Sequence, residues 1–364
     1  MKDSPSQLPE GNAVIYCQGA FNTTYGKTAH GLVRFTRRYR VLSLVDSRYA
    51  GQDAGEVLDG KPRGIPVLES IEAAVKAAEC SDTPATHLVM GVAPDGGRLS
   101  PAARQDFLTA IGLGLNIDSG LHQFLSEDPE MKQAAQQYNV QLRDVRKPPA
   151  RDQLHFFSSK IEQVTALKIA ILGTDSAIGK RTTAWLLVQA LNKAGYKTEL
   201  VGTGQTAWMQ GARYSLVMDS LVNDFVSGEM EHAVWSAWEE TQADVIVIEG
   251  QGSLMNPAYP GGFEILAAGR PDLVILQHAP ARKEYDGFPG YPLHPVGQQI
   301  QAIELLAAKP VVAITINHED MLPERIQPMC AALEQVTGIP AVDVLYSGAE
   351  ELINRLRPHL EKRK

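Results

Sequence analysis

The segment Gly173-Thr174-Asp175-Ser176-Ala177-Ile178-Gly179-Lys180-Arg181-Thr182-Thr183 constrains this chain more than any other. It follows the apolar run Leu167–Leu172 and opens a helical pattern over Arg181–Ala194, which Gly195 stops. A glycine-containing turn between a buried strand and a helix lets the backbone wrap an anion, and the helix start aims unpaired N–H groups at it. Lys180 supplies a mobile cation for the outer phosphates. Gly173, Thr174, Asp175, Ser176, Gly179, Lys180, Arg181, Thr182 and Thr183 are therefore the expected phosphate-binding residues.

Two departures from the common phosphate-loop pattern matter. Five residues, from Thr174 to Ile178, separate the two glycines, where the usual loop has about four. The longer loop resembles that of dethiobiotin synthetase and related P-loop proteins, which read Gly-Thr-Asp-Thr where this chain has Gly173-Thr174-Asp175-Ser176. The residue after the lysine is ordinarily Ser or Thr, whose hydroxyl ligates Mg²⁺. Here it is Arg181, which has no lone pair to offer a cation but suits phosphate oxygens. Thr182 lies about 100° further around the helix. The loop reads as a polyphosphate cradle for which Mg²⁺–ATP is the less natural occupant.

Around this loop the chain alternates strands and helices. In the first half, apolar runs at Ala13–Cys17, Val41–Val45, Ile65–Val67 and His87–Val92 alternate with helical patterns at 28–37, 69–78 and 101–113. In the second half, Leu167–Leu172, Lys197–Val201, Asp244–Ile248, Leu273–Leu276 and Val311–Ile316 alternate with helices at 181–194, 229–241 and 296–308. Such alternation specifies mostly parallel sheets covered on both faces. The break Lys147-Pro148-Pro149-Ala150 divides the 364 residues into two domains of ordinary size. The expected fold is α/β: a Rossmann-like domain over 1–149 and a P-loop parallel α/β domain over 150–364.

Further candidates sit where ligands of open α/β sheets collect, at the carboxyl ends of strands. Glu249 ends the apolar strand Val245–Ile248 and should face Lys180 across the loop. Asp219 follows the apolar run Leu216–Met218, as a site acid or as a turn-capping one. His278 opens the loop after Leu273–Leu276, and Arg282 and Lys283 follow it as a carboxylate clamp or as solvated charge. Tyr285–Tyr291 reads as an irregular loop able to cover the site. The first domain has its own strand–loop–helix arrangement, Gly19 to Thr28, in which Gly26, Lys27 and Thr28 would meet an anion or form a structural turn. Asp46 closes the second strand at the place of a ribose-binding acid, yet without a GxGxxG loop a nicotinamide cofactor is not expected.

Composition narrows the class. A net charge of −8 argues against a broad nucleic-acid surface. Cys17, Cys80 and Cys330 are too dispersed for a metal cluster, so no metal site is expected and the thiols read as reduced. The opening MKDSPSQLPEGN lacks the apolar core of a signal peptide, and no run approaches the ~18 residues of a membrane span. A cytoplasmic homo-oligomer without nucleic-acid or membrane partners is the expectation.

GTDSAIGKRTT, the strand end IEGQGSL and the first-domain GKTAHGL together are similar to the P-loop family typified by D-glutamate N-acetyltransferase. The similarity spans nearly the whole chain. It implies transfer of acetyl from acetyl-CoA to the amine of an acidic amino acid, D-glutamate in the type case, with the product passing to a racemase or epimerase. It fits a loop with two adjacent cations, because CoA carries phosphates and needs no metal. An ammonium must lose a proton before attacking a thioester, so a base is required: Glu249 first, with His278 and Asp219 behind it. A dicarboxylate needs a cationic clamp, for which Arg282 and Arg213 are candidates. Two rival readings remain open: an ATP-dependent ligase or kinase using Lys180, Thr182, Glu249 and Mg²⁺, and a nucleotide-responsive binding protein without turnover.

Overall fold

In a computed structural model of the chain, residues 9–361 are described. The polar run 1–8, part of the stretch that argued against a signal peptide, lies outside them. The chain divides into two compact units, one ending at Pro148 and also containing Gln205–Gly211, the other holding Pro149–Gly204 and the residues from Ala212 onward.

The first unit is a six-stranded sheet of β1 (Gly11–Tyr16), β2 (Tyr39–Val45), β3 (Val67–Leu68), β4 (His87–Met90), β5 (Asn116–Ser119) and β6 (Leu142–Asp144). All pairs are parallel, in the order β3-β2-β1-β4-β5-β6. That order, growing outward from β1 in both directions, is the Rossmann arrangement. Apolar residues fill both faces, Phe107, Ile111 and Met131 on one and Phe21, Leu32 and Leu44 on the other. The first four strands were legible as apolar runs; β5 and β6 were not, because they read Asn-Ile-Asp-Ser and Leu-Arg-Asp. The buried Asp118 of β5 is tolerated because Arg143 of β6 grips it through two hydrogen bonds of 2.6 and 2.7 Å.

Gln205–Gly211 belongs to this unit although it is distant in sequence. Trp208 lies against the guanidinium groups of Arg38 and Arg143, at 3.7 and 4.5 Å from its ring centroid. The Gln210 amide donates to the Gly31 and Phe35 carbonyls, both at 2.8 Å. A single cut after residue 149 therefore does not describe the units fully.

The second unit holds β7 (Leu167–Gly173), β8 (Thr198–Gly202), β9 (Tyr214–Ser215), β10 (Val245–Glu249), β11 (Leu273–His278), β12 (Val311–Ile316) and β13 (Ala341–Val342). They form one parallel sheet in the order β13-β12-β11-β7-β10-β8-β9. Every residue of β7, β10 and β11 is buried, as near-continuous apolar runs in the middle of a parallel sheet require. Within β7 the charged Lys168 is paired with Asp272 at 3.2 Å. Register brings Glu249 level with Ile171 and Gln277 level with Gly173. The carboxyl ends of three adjacent strands thus converge around the phosphate loop.

Among the described residues no helix is long and apolar enough to cross a membrane. Cys17, Cys80 and Cys330 are free thiols, the first and last of them buried.

Candidate functional site

The phosphate loop leaves β7 at Gly173 and enters the helix Lys180–Lys193. Two left-handed residues shape it, Ala177 at φ +53° and Gly179 at φ +98°. The second of these is a conformation only glycine adopts cheaply, and alternation of handedness turns successive N–H groups into a concavity for an anion. No side chain caps the helix at Gly179, and its first turn contains no acid. The turn carries Lys180 and Arg181 instead, two cations at the positive pole of a helix dipole. That placement is unfavourable by about 0.3–1 kcal/mol per charge unless an anion joins them. The helix start thus concentrates positive charge where an anion-binding loop needs it.

Lys180 is buried, its ammonium donating to the Asp175 carbonyl at 2.5 Å. Thr183 points to the sheet, its hydroxyl donating to Gln277 Oε1 at 2.6 Å, where the Thr315 hydroxyl also donates at 2.6 Å. The Thr174 N–H reaches the Gln277 carbonyl at 3.0 Å, so Gln277 fastens both ends of the loop to β11. Thr182 is half-buried in the first helical turn.

Glu249, at the tip of β10, is buried. Its Oε2 accepts the Thr203 N–H at 2.9 Å. Burial pushes its carboxyl above the usual range, against the opposing pull of Arg181, the Thr203 N–H and Lys180. The sequence expectation that Glu249 would stand near the loop cations matches this electrostatic neighbourhood.

His278 is not a loop residue: it is the last residue of β11 and is buried. Its Nδ1 shares a 2.9 Å hydrogen bond with the Thr174 hydroxyl. Burial lowers its pKa to about 4, so the imidazole is neutral near pH 7 and a weak base. Asp219 lies exposed on the short 3₁₀ turn Met218–Ser220 beyond β9.

The two proposed carboxylate clamps are already engaged. Arg282 donates to Asp175 Oδ2 and to the Ser176 carbonyl, each at 2.8 Å, and to Glu319 at 2.7 Å. Arg213 pairs with Glu240 at 2.6 Å beside the edge strand β9. The Arg282 partner Asp175 is fully buried, whereas the Arg213–Glu240 pair lies on the surface. In the first unit, Gly26 caps the helix Lys27–Arg34, Lys27 is exposed, and the buried Thr28 hydroxyl bonds Thr206 at 3.0 Å. Asp46 is spent on the Phe21 N–H at 3.0 Å and on Arg48 at 2.7 Å, bracing the loop after β1.

Sequence reasoning passed over Thr203, Asn256, Gln277 and Glu319. Asn256 is buried and donates to Asp175 Oδ1 at 3.0 Å, while its own oxygen accepts the Ala258 and Tyr259 N–H groups. The Asn-Pro turn signal at Asn256 was visible. Its partner 81 positions away was not.

A parallel sheet whose central strand opens into a glycine–lysine loop at a helix start defines a P-loop domain, here carried in one chain with a Rossmann-like domain. The chain belongs to the DUF1611 family. The model of that family's C-terminal P-loop domain, described as a domain of unknown function, matches residues 155–353, and that of its N-terminal Rossmann-like domain matches 47–148. A D-glutamate N-acetyltransferase of Pseudoalteromonas sp is 30% identical over 288 residues, 76% of this chain and 83% of that protein. A second D-glutamate N-acetyltransferase, from Tritonibacter scottomollicae, is 29% identical over 276 residues, 74% and 80% of the two chains. The crystal structure of a DUF1611 family protein from Anabaena variabilis superposes with a TM-score of 0.87 at 27% identity, covering 96% of this chain and 99% of that one.

Proposed function

We propose that this protein is an N-acetyltransferase that moves acetyl from acetyl-CoA to the amino group of an acidic amino acid, with D-glutamate the first candidate. The observation that carries the reading is the likeness, across about three quarters of the chain, to two proteins named for that activity. The phosphate loop supports it physically. Its helix starts with Lys180 and Arg181 in place of a lysine followed by a metal-ligating hydroxyl. Those residues and the loop N–H groups fit the phosphates of CoA.

Acetyl-CoA supplies an activated thioester: the acceptor's C–N bond forms as the C–S bond breaks, which leaves CoA thiol and one proton to remove. Glu249 is the candidate general base. Burial raises its pKa, which strengthens it as a proton acceptor, and Lys180 and Arg181 favour its charged form. His278 at a pKa of about 4 is poorly matched to that task; its contact with Thr174 holds the loop instead. With Arg282 committed to Asp175 and Glu319, the candidate donor to the acceptor's carboxylates is Arg181, the half-buried cation whose charge acts most strongly on Glu249.

Calorimetry tests the ligand class. Acetyl-CoA should bind without added metal, and more tightly than Mg²⁺–ATP. Tight Mg²⁺–ATP binding with no response to acetyl-CoA would replace this reading by a ligase or kinase.

A further inference from the structure

A carboxylate inside a phosphate cradle is an odd choice, because it repels the ligand the loop attracts. Asp175 resolves the oddity through its partners. The residue is fully buried, and its two oxygens accept four hydrogen bonds. Oδ1 takes the Ser176 N–H at 2.7 Å and the Asn256 amide at 3.0 Å. Oδ2 takes the Arg282 guanidinium at 2.8 Å and the Asp286 N–H at 2.9 Å. A carboxylate has about four acceptor sites, so none is left for a ligand.

The four donors come from three separate segments. Ser176 belongs to the phosphate loop, Asn256 to the loop after β10, and Arg282 and Asp286 to the loop after β11. That last segment, where Tyr285–Tyr291 was read as a cover, is closed at its base by the Tyr285 hydroxyl on His294 at 2.7 Å and by a bridge between Glu284 and Pro292. Arg282 is itself anchored by Glu319 at 2.7 Å. The Asp175 carbonyl meanwhile holds the Lys180 ammonium at 2.5 Å. One residue thus touches the anion-binding lysine with its backbone and the covering loop with its side chain.

We infer that Asp175 is a positioning residue that sets the anion-binding state of the phosphate loop and the order of the Ala281–His294 loop together, and is not itself a ligand contact. The inference rests on the phosphate loop binding an anion, not on the anion being acetyl-CoA. Drawing Lys180 toward a phosphate shifts the Asp175 backbone, and the shift passes through one saturated carboxylate to Asp286 and Arg282. Asn at position 175 keeps the size but loses the charge and half of the acceptor capacity.

Hydrogen exchange on the full chain, with inorganic pyrophosphate and with CoA as separate probes, tests it. In the wild type either probe should slow exchange over residues 281–294. In Asp175→Asn those amides should exchange about ten-fold faster without ligand, as expected when a charge-assisted bond is lost. Neither probe should restore protection there, even at concentrations that saturate the phosphate loop. Asn256→Ala, which leaves the Asp175–Arg282 pair intact, should keep the response at 281–294 and lose protection over 251–261, so the inference remains testable if Asp175→Asn folds poorly. Wild-type protection at 281–294 in Asp175→Asn, or loss of the 281–294 response in Asn256→Ala, would overturn it. Pyrophosphate acting where CoA does not would leave the inference standing and count against the acetyl-CoA reading alone.

Discussion

Thr203 holds Glu249 from the neighbouring strand end: its N–H donates to the Glu249 carboxylate at 2.9 Å while its hydroxyl donates to the Glu249 carbonyl at 3.0 Å. The candidate base is fixed in both side chain and backbone. Glu249→Gln keeps the shape and removes the proton acceptor, so kcat should fall by about 10²–10⁴-fold with little change in KM. A general base acts in its charged form, and burial raises the Glu249 pKa. Wild-type kcat/KM should therefore rise with pH along a limb lying above the ordinary carboxylate range, and steady-state kinetics across pH should show that limb absent from the residual activity of the variant.

Lys180→Ala removes the buried cation of the cradle. A charge-assisted hydrogen bond is worth about 1.5–3 kcal/mol, so CoA affinity should drop roughly ten- to hundred-fold. Calorimetry measures the loss, and an unchanged circular dichroism spectrum would show that the fold survives. Unchanged affinity would make the loop structural.

His278 carries a signature in stability. Its pKa is about 4 in the folded protein and roughly 6.5 in an unfolded chain. Between those values the unfolded state binds the additional proton. The stabilising share of the neutral imidazole is thus complete above the unfolded pKa and is lost as pH falls toward the folded one, about 3 kcal/mol in all. His278→Asn should flatten the fall of stability between about pH 6.5 and 4, read by urea unfolding at a series of pH values. An unaltered slope would contradict the assigned burial.

The phosphate loop and the sheets around it were legible because their signals are local. β7, β10 and β12 are near-continuous apolar runs, and the Gly–Lys turn sits between a strand and a helix. Glu249 was legible for the same reason, as a lone acid ending such a run. What escaped depends on partners far apart in sequence. Arg282 looked like a free clamp until Asp175, 107 positions away, and Glu319 accounted for it. His278 looked like a loop residue because β11 runs two residues past its apolar core, through Gln277, which the Thr183 and Thr315 hydroxyls satisfy. The two-residue strands β9 and β13 carry too few residues for any period to show.

Gly250 follows Glu249 beside β7: a Cβ there would stand 2.2 Å from the Ile171 carbonyl oxygen. That neighbour is backbone in a central strand and has nowhere to go. Gly250→Ala should cost about 1–3 kcal/mol or more, lower the melting temperature by several degrees, and reduce kcat by displacing Glu249. Differential scanning calorimetry with a kinetic assay checks both; wild-type stability would show that the strands separate more easily than their packing indicates.

The most direct measurement is release of CoA thiol from acetyl-CoA by the purified protein, with and without D-glutamate. The expected result is thiol release that requires D-glutamate, matches N-acetylated product one for one, and disappears in Glu249→Gln. No release with D-glutamate or with any other acidic amino acid would contradict the acetyl-transfer reading.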